Sequence, residues 1–350
     1  MTEASNNNLT KNSINNPNGY RTVLVTGGAG YVGSSLVPEL LREGYRVKVI
    51  DLFWYGREVF AEVAGHPNLN LVELDIREAR RMREELAGQD AVIHLACISN
   101  DPSFDLAPAL GTSINLDAFL PLVQAAVEQG VRRFIYASSS SIYGVQDHPE
   151  VKEDTEPRPL TDYSRFKLAC EKMLLDYSDA GQMERVILRP ATVCGYAPRL
   201  RLDVVVNILT AHALTNRKIR ILGGEQLRPN IHIADMVRAY QAILNASPDQ
   251  VDGQAFNVGY QNLPVEEIAR LVRDTVGDPG IELERVSSDD NRSYHINSDK
   301  IRAALGFRPI HKVEDAVRSL VDAYRDGRIV DPMTNDRYYN IKRMQEINAR

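Results

Sequence analysis

The sequence predicts an α/β protein, a doubly wound parallel sheet with a smaller C-terminal domain, on three observations. Short apolar runs alternate with amphipathic helical patterns between residues 22 and 190, which implies parallel strands joined by right-handed crossovers. The first apolar run ends on a glycine cluster, Thr26-Gly27-Gly28-Ala29-Gly30-Tyr31-Val32-Gly33. The second ends on an acid, Asp51.

Taken in order, Thr22–Thr26 reads as the first strand and residues 31–43 as an amphipathic helix. Arg46–Ile50 is the next strand, and further strands are expected at 69–74, 91–96, 133–138 and 186–190. Helical patterns lie between them near 77–87, 115–129 and 163–179. Past Gly195 the alternation weakens. Residues 196–229 and 261–330 are richer in arginine and less regular, while 230–260 reads as a return to the sheet. The expected organisation is therefore a sheet domain from 21–195 and 230–260, and a substrate domain from 196–229 and 261–330. Ligands of such sheets lie beyond the carboxyl ends of the strands, so the second domain is expected to cap that crevice. Residues 1–20, rich in Asn and without the apolar core of a secretory signal, are expected to form a disordered tail. Residues 331–350, with Tyr338, Tyr339 and several charges, read as a C-terminal tail or packing arm.

Composition narrows the function classes. The chain has 350 residues, 43% hydrophobic and 25% charged, the balance of an ordinary soluble globular protein. A formal charge of −6 disfavours a nucleic-acid partner or an anionic membrane, since both need a basic face. No apolar run approaches the length of a bilayer span. Cys97, Cys170 and Cys194 have no C-x-x-C spacing. Cys97 and Cys194 lie beside apolar runs, where a thiol acts as a small buried hydrophobe. No metal site is expected, and the cysteine usage fits a reducing cytoplasm.

The glycine loop carries the cofactor expectation. Gly28-x-Gly30-x-x-Gly33 and the overlapping Gly27-x-x-Gly30-x-x-Gly33 follow a strand and open a helix. Glycines there allow a tight turn, close approach to a pyrophosphate and helix–strand packing, with the phosphates on the helix N-terminus. Gly27, Gly30, Tyr31, Val32 and Gly33 are the expected contacts. A carboxylate at Asp51 accepts hydrogen bonds from ribose hydroxyls and repels a 2′-phosphate. The next residues are Leu52, Phe53 and Trp54, with no basic residue, so NAD is expected rather than NADP.

The catalytic set is Ser139, Tyr163 and Lys167. Tyr163 and Lys167 are four apart and share one face of a helix. A free tyrosine has a pKa of about 10, and bringing it to about 7 takes roughly 4 kcal/mol of phenolate stabilisation. A nearby ammonium and a positive nicotinamide ring are sources of that field. Lys167 can also hydrogen-bond the nicotinamide ribose, and Ser139, at a strand end, can hold a substrate oxygen. Tyr338 and Lys342 match the same spacing but lie in the tail, and are set aside. His94 and His232 sit in apolar runs and read as packed core histidines.

These residues resemble the extended short-chain dehydrogenase/reductase superfamily, in particular its NAD-dependent sugar-nucleotide epimerase/dehydratase family. The markers are the glycine loop, Val92-Ile93-His94-Leu95-Ala96, Ser138-Ser139-Ser140-Ser141-Ile142-Tyr143-Gly144, the Tyr163/Lys167 pair, Ile187-Leu188-Arg189-Pro190, Arg228-Pro229-Asn230-Ile231-His232-Ile233 and Asp290-Asn291-Arg292-Ser293-Tyr294. The resemblance covers about residues 21–325 and implies a Rossmann sheet. It implies that Asp75 and Ile76 bound the adenine, and that Leu95, Ala96 and Pro190 lie along the cofactor. Asn115 would support the active-site helices at the cofactor site. Asn207, Arg228 and Arg292 would contact the substrate diphosphate, where arginine pairs bidentately with phosphate. Two departures stand out. The 4,6-dehydratases of the family carry an Asp-Glu pair after the position of Ser139, and here those residues are Ser140 and Ser141, which argues against dehydration. The asparagine that many relatives carry after the Leu-Arg pair is Thr192 here.

The reading that follows is a cytoplasmic NAD-dependent epimerase of a nucleotide sugar, acting at C4 with Tyr163 as base. The first alternative is a one-way dehydrogenase or ketoreductase on a nucleotide-linked sugar. A non-catalytic dinucleotide sensor is the alternative from another class. The resemblance also implies a homodimer formed by the helices near 115–129 and 163–179. There Leu116, Phe119, Leu120 and Val123 recur at helical spacing, compatible with an interface or with the monomer core.

Overall fold

The structure, a computed structural model, describes residues 16–99, 101–146, 148, 150–177, 181, 183–288, 293 and 295–349. Its strands are β1 (Thr22–Thr26), β2 (Arg46–Asp51), β3 (Leu69–Glu73), β4 (Ala91–His94), β5 (Arg133–Ala137), β6 (Glu184–Pro190), β7 (Thr192–Cys194), β8 (Lys218–Leu222), β9 (Leu227–His232), β10 (Gln254–Val258), β11 (Gln261–Pro264) and β12 (Glu282–Val286). Seven of them form one parallel sheet in the order β10-β6-β5-β4-β1-β2-β3. The order reverses direction between β1 and β4, which opens a crevice at the carboxyl ends of those strands.

The helices are α1 (Gly33–Arg42), α2 (Ala79–Leu86), α3 (Asp101–Leu106), α4 (Pro108–Thr112), α5 (Phe119–Glu128), α6 (Asp162–Asp176), α7 (Val205–Asn216), α8 (Ile233–Asn245), α9 (Pro248–Val251), α10 (Val265–Val276), α11 (Asp299–Leu305), α12 (Val313–Arg325) and α13 (Asn340–Glu346). Strand alternation decides which helices each face receives. Val23 and Val25 of β1 pack with Leu36, Leu40 and Tyr240 of α1 and α8. Leu24 between them packs with Met82, Phe119, Val123 and Leu174 of α2, α5 and α6. Strands covered on both faces read as continuous apolar runs, which is why β4 is buried throughout. A separate core joins α7, α10 and α12 through Leu209, Ile268, Val272 and Val317, over Ile219 and Ile221 of β8. β8 pairs with β12, and β7, β9 and β11 make a three-stranded sheet.

Several expectations change. Residues 1–15 of the expected tail lie outside the described residues, but from Asn16 the chain is tied down. The Asn16 amide donates to the Tyr45 hydroxyl at 2.7 Å and to the Leu244 carbonyl at 3.1 Å, and Tyr20 is buried. The helix expected at 115–129 is broken by a wide π turn over Ser113–Asp117 before α5. The helical stretch Pro108–Glu128 does reach the length and apolarity of a membrane span, against expectation. Its apolar side is spent on the sheet, where Phe119, Leu122, Val123 and Ala126 are buried. Phe119 and Val123 are therefore core residues, and of the four positions considered for an interface only Leu116 and Leu120 stay half-buried. Of the two alternatives for the C-terminus, residues 331–349 take that of a packing arm. Leu202 donates its backbone N–H to Tyr338 at 2.9 Å, and Met333, Tyr338 and Tyr339 pack against Leu200, Leu202 and Leu320.

Candidate active site

A cavity of about 420 Å³ opens at the carboxyl ends of β1, β2, β4 and β5, within the size range of small-ligand sites. The glycine loop forms its floor. Gly27 has φ +69°, and a Cβ there would stand 2.6 Å from the Ala96 backbone, so only glycine keeps β1 and β4 this close. A side chain on Gly33 would strike the Gly28 backbone, where α1 meets the turn. The N-terminus of α1 has no side-chain cap and no acid in its first turn. The helix dipole there favours an anion.

Gly27, Gly30, Tyr31, Val32, Gly33, Asp51, Asp75, Ile76, Leu95, Ala96 and Pro190 all line the cavity, as do Ser139, Tyr163 and Lys167. The Asp51 carboxylate accepts from the N–H of Ala29 at 2.9 Å and of Phe53 at 2.7 Å. Burial raises its pKa above the usual carboxylate range, and those N–H groups pull it partway back. Asp75 is also pushed up by burial, but the Arg77 guanidinium at 2.6 Å outweighs this and holds it below its ordinary value.

The expected catalytic set, Ser139, Tyr163 and Lys167, comes together through two devices. Thr161 caps α6 in a reciprocal box with Ser164, and its hydroxyl donates to Asp101 at 2.7 Å. The start of α6, and with it Tyr163, is thereby fixed. Further along, a buried ion pair between Arg189 of β6 and Glu171 of α6, at 2.7 Å, clamps the helix to the sheet. Lys167 is 4% exposed. Its Nζ donates to the Ala137 carbonyl at 2.7 Å and lies 5.7 Å from the centre of the Tyr163 ring. Burial acts against the ammonium, but Cys97 and Tyr163 beside it outweigh this and hold its pKa above the usual lysine value. Tyr163 shows the opposite balance. Burial raises it above an ordinary phenol, and the Lys167 charge, then Arg201, pulls the other way. The tuning expected from the lysine is present but does not by itself overcome burial. Ser139 caps a one-turn helix over Ser140–Tyr143, accepting from the Ser141 N–H at 3.1 Å and the Ser141 hydroxyl at 2.9 Å.

Other expected contacts fall elsewhere. Asn115 does not reach the cavity. Its amide is spent on both backbone groups of Ile98, at 2.8 and 2.9 Å, so it braces the loop after β4. Asn207 is fully buried and corrects the expectation of a diphosphate contact. Its amide accepts from the Gly195 N–H and donates to the Tyr31 hydroxyl, both at 2.9 Å, and to the Arg201 carbonyl at 2.8 Å. Both of its N–H donors are used within the protein, which leaves none for a diphosphate. Arg228 is not in the cavity wall although its neighbour Pro229 is, and its Nη1 donates to the Leu227 carbonyl. Arg292 lies outside the described residues.

Cys97, Asn340 and Met344 escaped the sequence reading of the wall, whereas Arg199 and Arg201 belong to the arginine-rich 196–229 segment expected to hold the substrate. Cys97 is not a buried hydrophobe but lines the cavity near Lys167. Arg199 and Arg201 also line it, as do Asn340 and Met344 of α13. The Arg199-Leu200-Arg201 run is a visible basic signal, whereas nothing local marks Asn340. Of the histidines, His94 is buried, with its Nδ1 at 2.7 Å from the Thr26 hydroxyl, and burial lowers its pKa to about 3. His232 caps α8 by accepting from the Ala234 N–H at 3.1 Å.

The cradle fits a dinucleotide. It offers an uncapped helix N-terminus, a glycine turn with no room for side chains, and a carboxylate at the end of β2. Comparison with known proteins agrees. The sequence pattern of the NAD dependent epimerase/dehydratase family matches residues 23–259. An uncharacterised protein of Sinorhizobium fredii is 34% identical over 228 residues, 64% of this chain, and the match spans 54% of that protein's length. The UDP-glucose 4-epimerase of Lactobacillus helveticus is 28% identical over 322 residues, 84% of this chain and 94% of that protein. The crystal structure of a dTDP-glucose 4,6-dehydratase from Streptomyces venezuelae, with NAD and TYD bound, superposes with a TM-score of 0.80 at 25% identity. That match covers 89% of this chain and 99% of that one.

Proposed function

Given that this chain belongs to the NAD dependent epimerase/dehydratase family, we propose that it inverts C4 of a nucleotide-activated sugar. The observation that carries this reading is the composition of the wall around Tyr163. The cavity's acids are Asp51 and Asp75 by the glycine loop and the strand ends next to it, and Asp101, which is engaged by Thr161. Beside Ser139 stand Ser140 and Ser141, and the Ser141 hydroxyl is turned to Ser139. An elimination needs a second acid and base next to the sugar; an oxidation and re-reduction at one carbon needs only Tyr163, Lys167 and the cofactor.

Gly27, Gly30, Gly33 and the N-terminus of α1 would hold the NAD diphosphate, Asp51 the ribose, Asp75 and Ile76 the adenine side, and Leu95, Ala96 and Pro190 the rest of its length. NAD, when bound, accepts hydride from the sugar carbon and returns it. Tyr163 takes the proton from the C4 hydroxyl and gives it back, and Ser139 holds the same oxygen. The Lys167 charge favours the phenolate during that exchange. The resemblance to a UDP-glucose 4-epimerase and to a dTDP-sugar dehydratase supports a nucleoside diphosphate sugar as substrate. Incubation with UDP-, GDP-, dTDP- and CDP-sugars, followed by NMR, tests the reading. One of them should convert to its C4 epimer without net NADH, and stoichiometric NADH would instead indicate a one-way dehydrogenase.

We place the enzyme in the cytoplasm as a homodimer. Leu116, Leu120 and Met173 of α6 are each only half-buried, which supports pairing of these helices across a two-fold axis. Sedimentation at micromolar concentration should show a dimer, and a monomer alone would exclude it.

A further inference from the structure

The C-terminal segment closes the outer wall of the dinucleotide cleft. Asn340 and Met344 of α13 line it, and Arg343 Nε donates to the Trp54 carbonyl at 2.6 Å. The Tyr55 hydroxyl donates to Asn340 Oδ1 at 3.1 Å. The Asn340 amide donates to the Ser99 hydroxyl at 2.8 Å.

Arg199 meets this segment from the other side. It is 4% exposed, and its backbone N–H donates to the Ser34 hydroxyl in the first turn of α1 at 3.2 Å. Its guanidinium carbon lies 3.7 Å from the centre of the Tyr55 ring, and Nη2 donates to Asn340 Oδ1. Its Nε is buried with no hydrogen-bond partner. Among the described residues no carboxylate stands within ion-pair distance of Arg199, because Asp203 is taken by Arg201 at 2.7 Å. A buried guanidinium is costly: the Asp203 and Asp51 carboxylates act on Arg199 without pairing with it, and burial still lowers its pKa. The side chain lines the cleft beside Tyr55, which follows β2, while its backbone meets the first turn of α1.

We propose that Arg199, held in place by Asn340 of α13, is a ligand for the cofactor diphosphate and completes the anion site begun by the glycine loop. The C-terminal helix is then part of the NAD site. The proposal rests on NAD binding and not on which sugar reaction follows, so the two readings fail separately.

Trp54, the only tryptophan, lines the cleft and reports binding by its fluorescence. In full-length protein stripped of cofactor, Arg199→Gln should raise the Kd for NAD and for ADP about ten-fold, the size expected for losing a charge-assisted hydrogen bond. Adenosine, which lacks the diphosphate, should bind as in the parent. Asn340→Ala should weaken NAD and ADP in the same direction but less, by roughly three-fold, because Asn340 acts only through positioning Arg199, and it keeps the test available should Arg199→Gln fail to fold. Equal weakening of adenosine and ADP would overturn the proposal, because Arg199 would then only shape the cleft. So would unchanged NAD affinity in the Asn340 variant, or weakening confined to a UDP-sugar.

Discussion

Two places in this chain carry a tyrosine followed four residues later by a lysine, and the fold treats them in opposite ways. Tyr163 and Lys167 lie on α6 against the cleft, where Lys167 is buried, anchored to the Ala137 carbonyl at 2.7 Å and turned toward the phenol. Tyr338 and Lys342 straddle the start of α13, outside the cavity wall. There the Tyr338 hydroxyl accepts from the Val330 N–H at 3.2 Å. Lys342 donates to the Met333 carbonyl at 3.3 Å and pairs with Asp336 at 3.6 Å. The first pair is screened from water and faces a cofactor cradle, and the second ties down a chain end. Spacing supplies a shared face, and the surroundings supply the chemistry.

The largest test of that difference is to remove each hydroxyl. Tyr163→Phe should lower turnover by about two orders of magnitude or more, the size expected for losing a general acid–base group, while NAD binding is retained. Tyr338→Phe should stay within about two-fold of the parent in turnover, since it loses one exposed hydrogen bond. Steady-state kinetics on both variants decides it. A dead Tyr338→Phe beside an active Tyr163→Phe would reverse the assignment.

The same contrast explains what the sequence made legible. The sheet, the glycine loop, Asp51, Ser139 and the α6 pair are local patterns: a periodicity, a turn that only glycine fits, or two residues one helical turn apart. The wall formed by Arg199, Arg201, Asn340 and Met344 is assembled by long-range packing. Asn340 meets Ser99 and Tyr55 across more than two hundred residues of chain, and no local signal announces such a meeting. Asn207 misled for a related reason. A polar residue implied to touch ligand is instead consumed by Tyr31, Gly195 and Arg201, because burying an amide demands partners within the protein. The chain ends were only partly legible. Asn16 and α13 are both fastened by hydrogen bonds to distant backbone or side chains, which composition alone does not reveal.

A smaller effect sharpens the comparison at the opposite end of the cleft. Asp51→Ala should weaken NAD by about ten-fold, the worth of a charge-assisted hydrogen bond, and narrow the preference over NADP, because the carboxylate both holds the ribose and repels an added phosphate. Cofactor dissociation constants for parent and variant check this. A parent that prefers NADP would contradict the role given to Asp51.

The measurement that reaches furthest uses a nucleotide sugar bearing deuterium at C4, supplied as the substrate identified by NMR. If Tyr163 serves oxidation and re-reduction at one carbon inside a closed cleft, the C4 epimer should form with deuterium kept at C4. No solvent hydrogen should appear at C3 or C5, and no NADH should be released. Loss of the C4 label to solvent, solvent hydrogen at C3 or C5, or one NADH per sugar consumed would contradict the account.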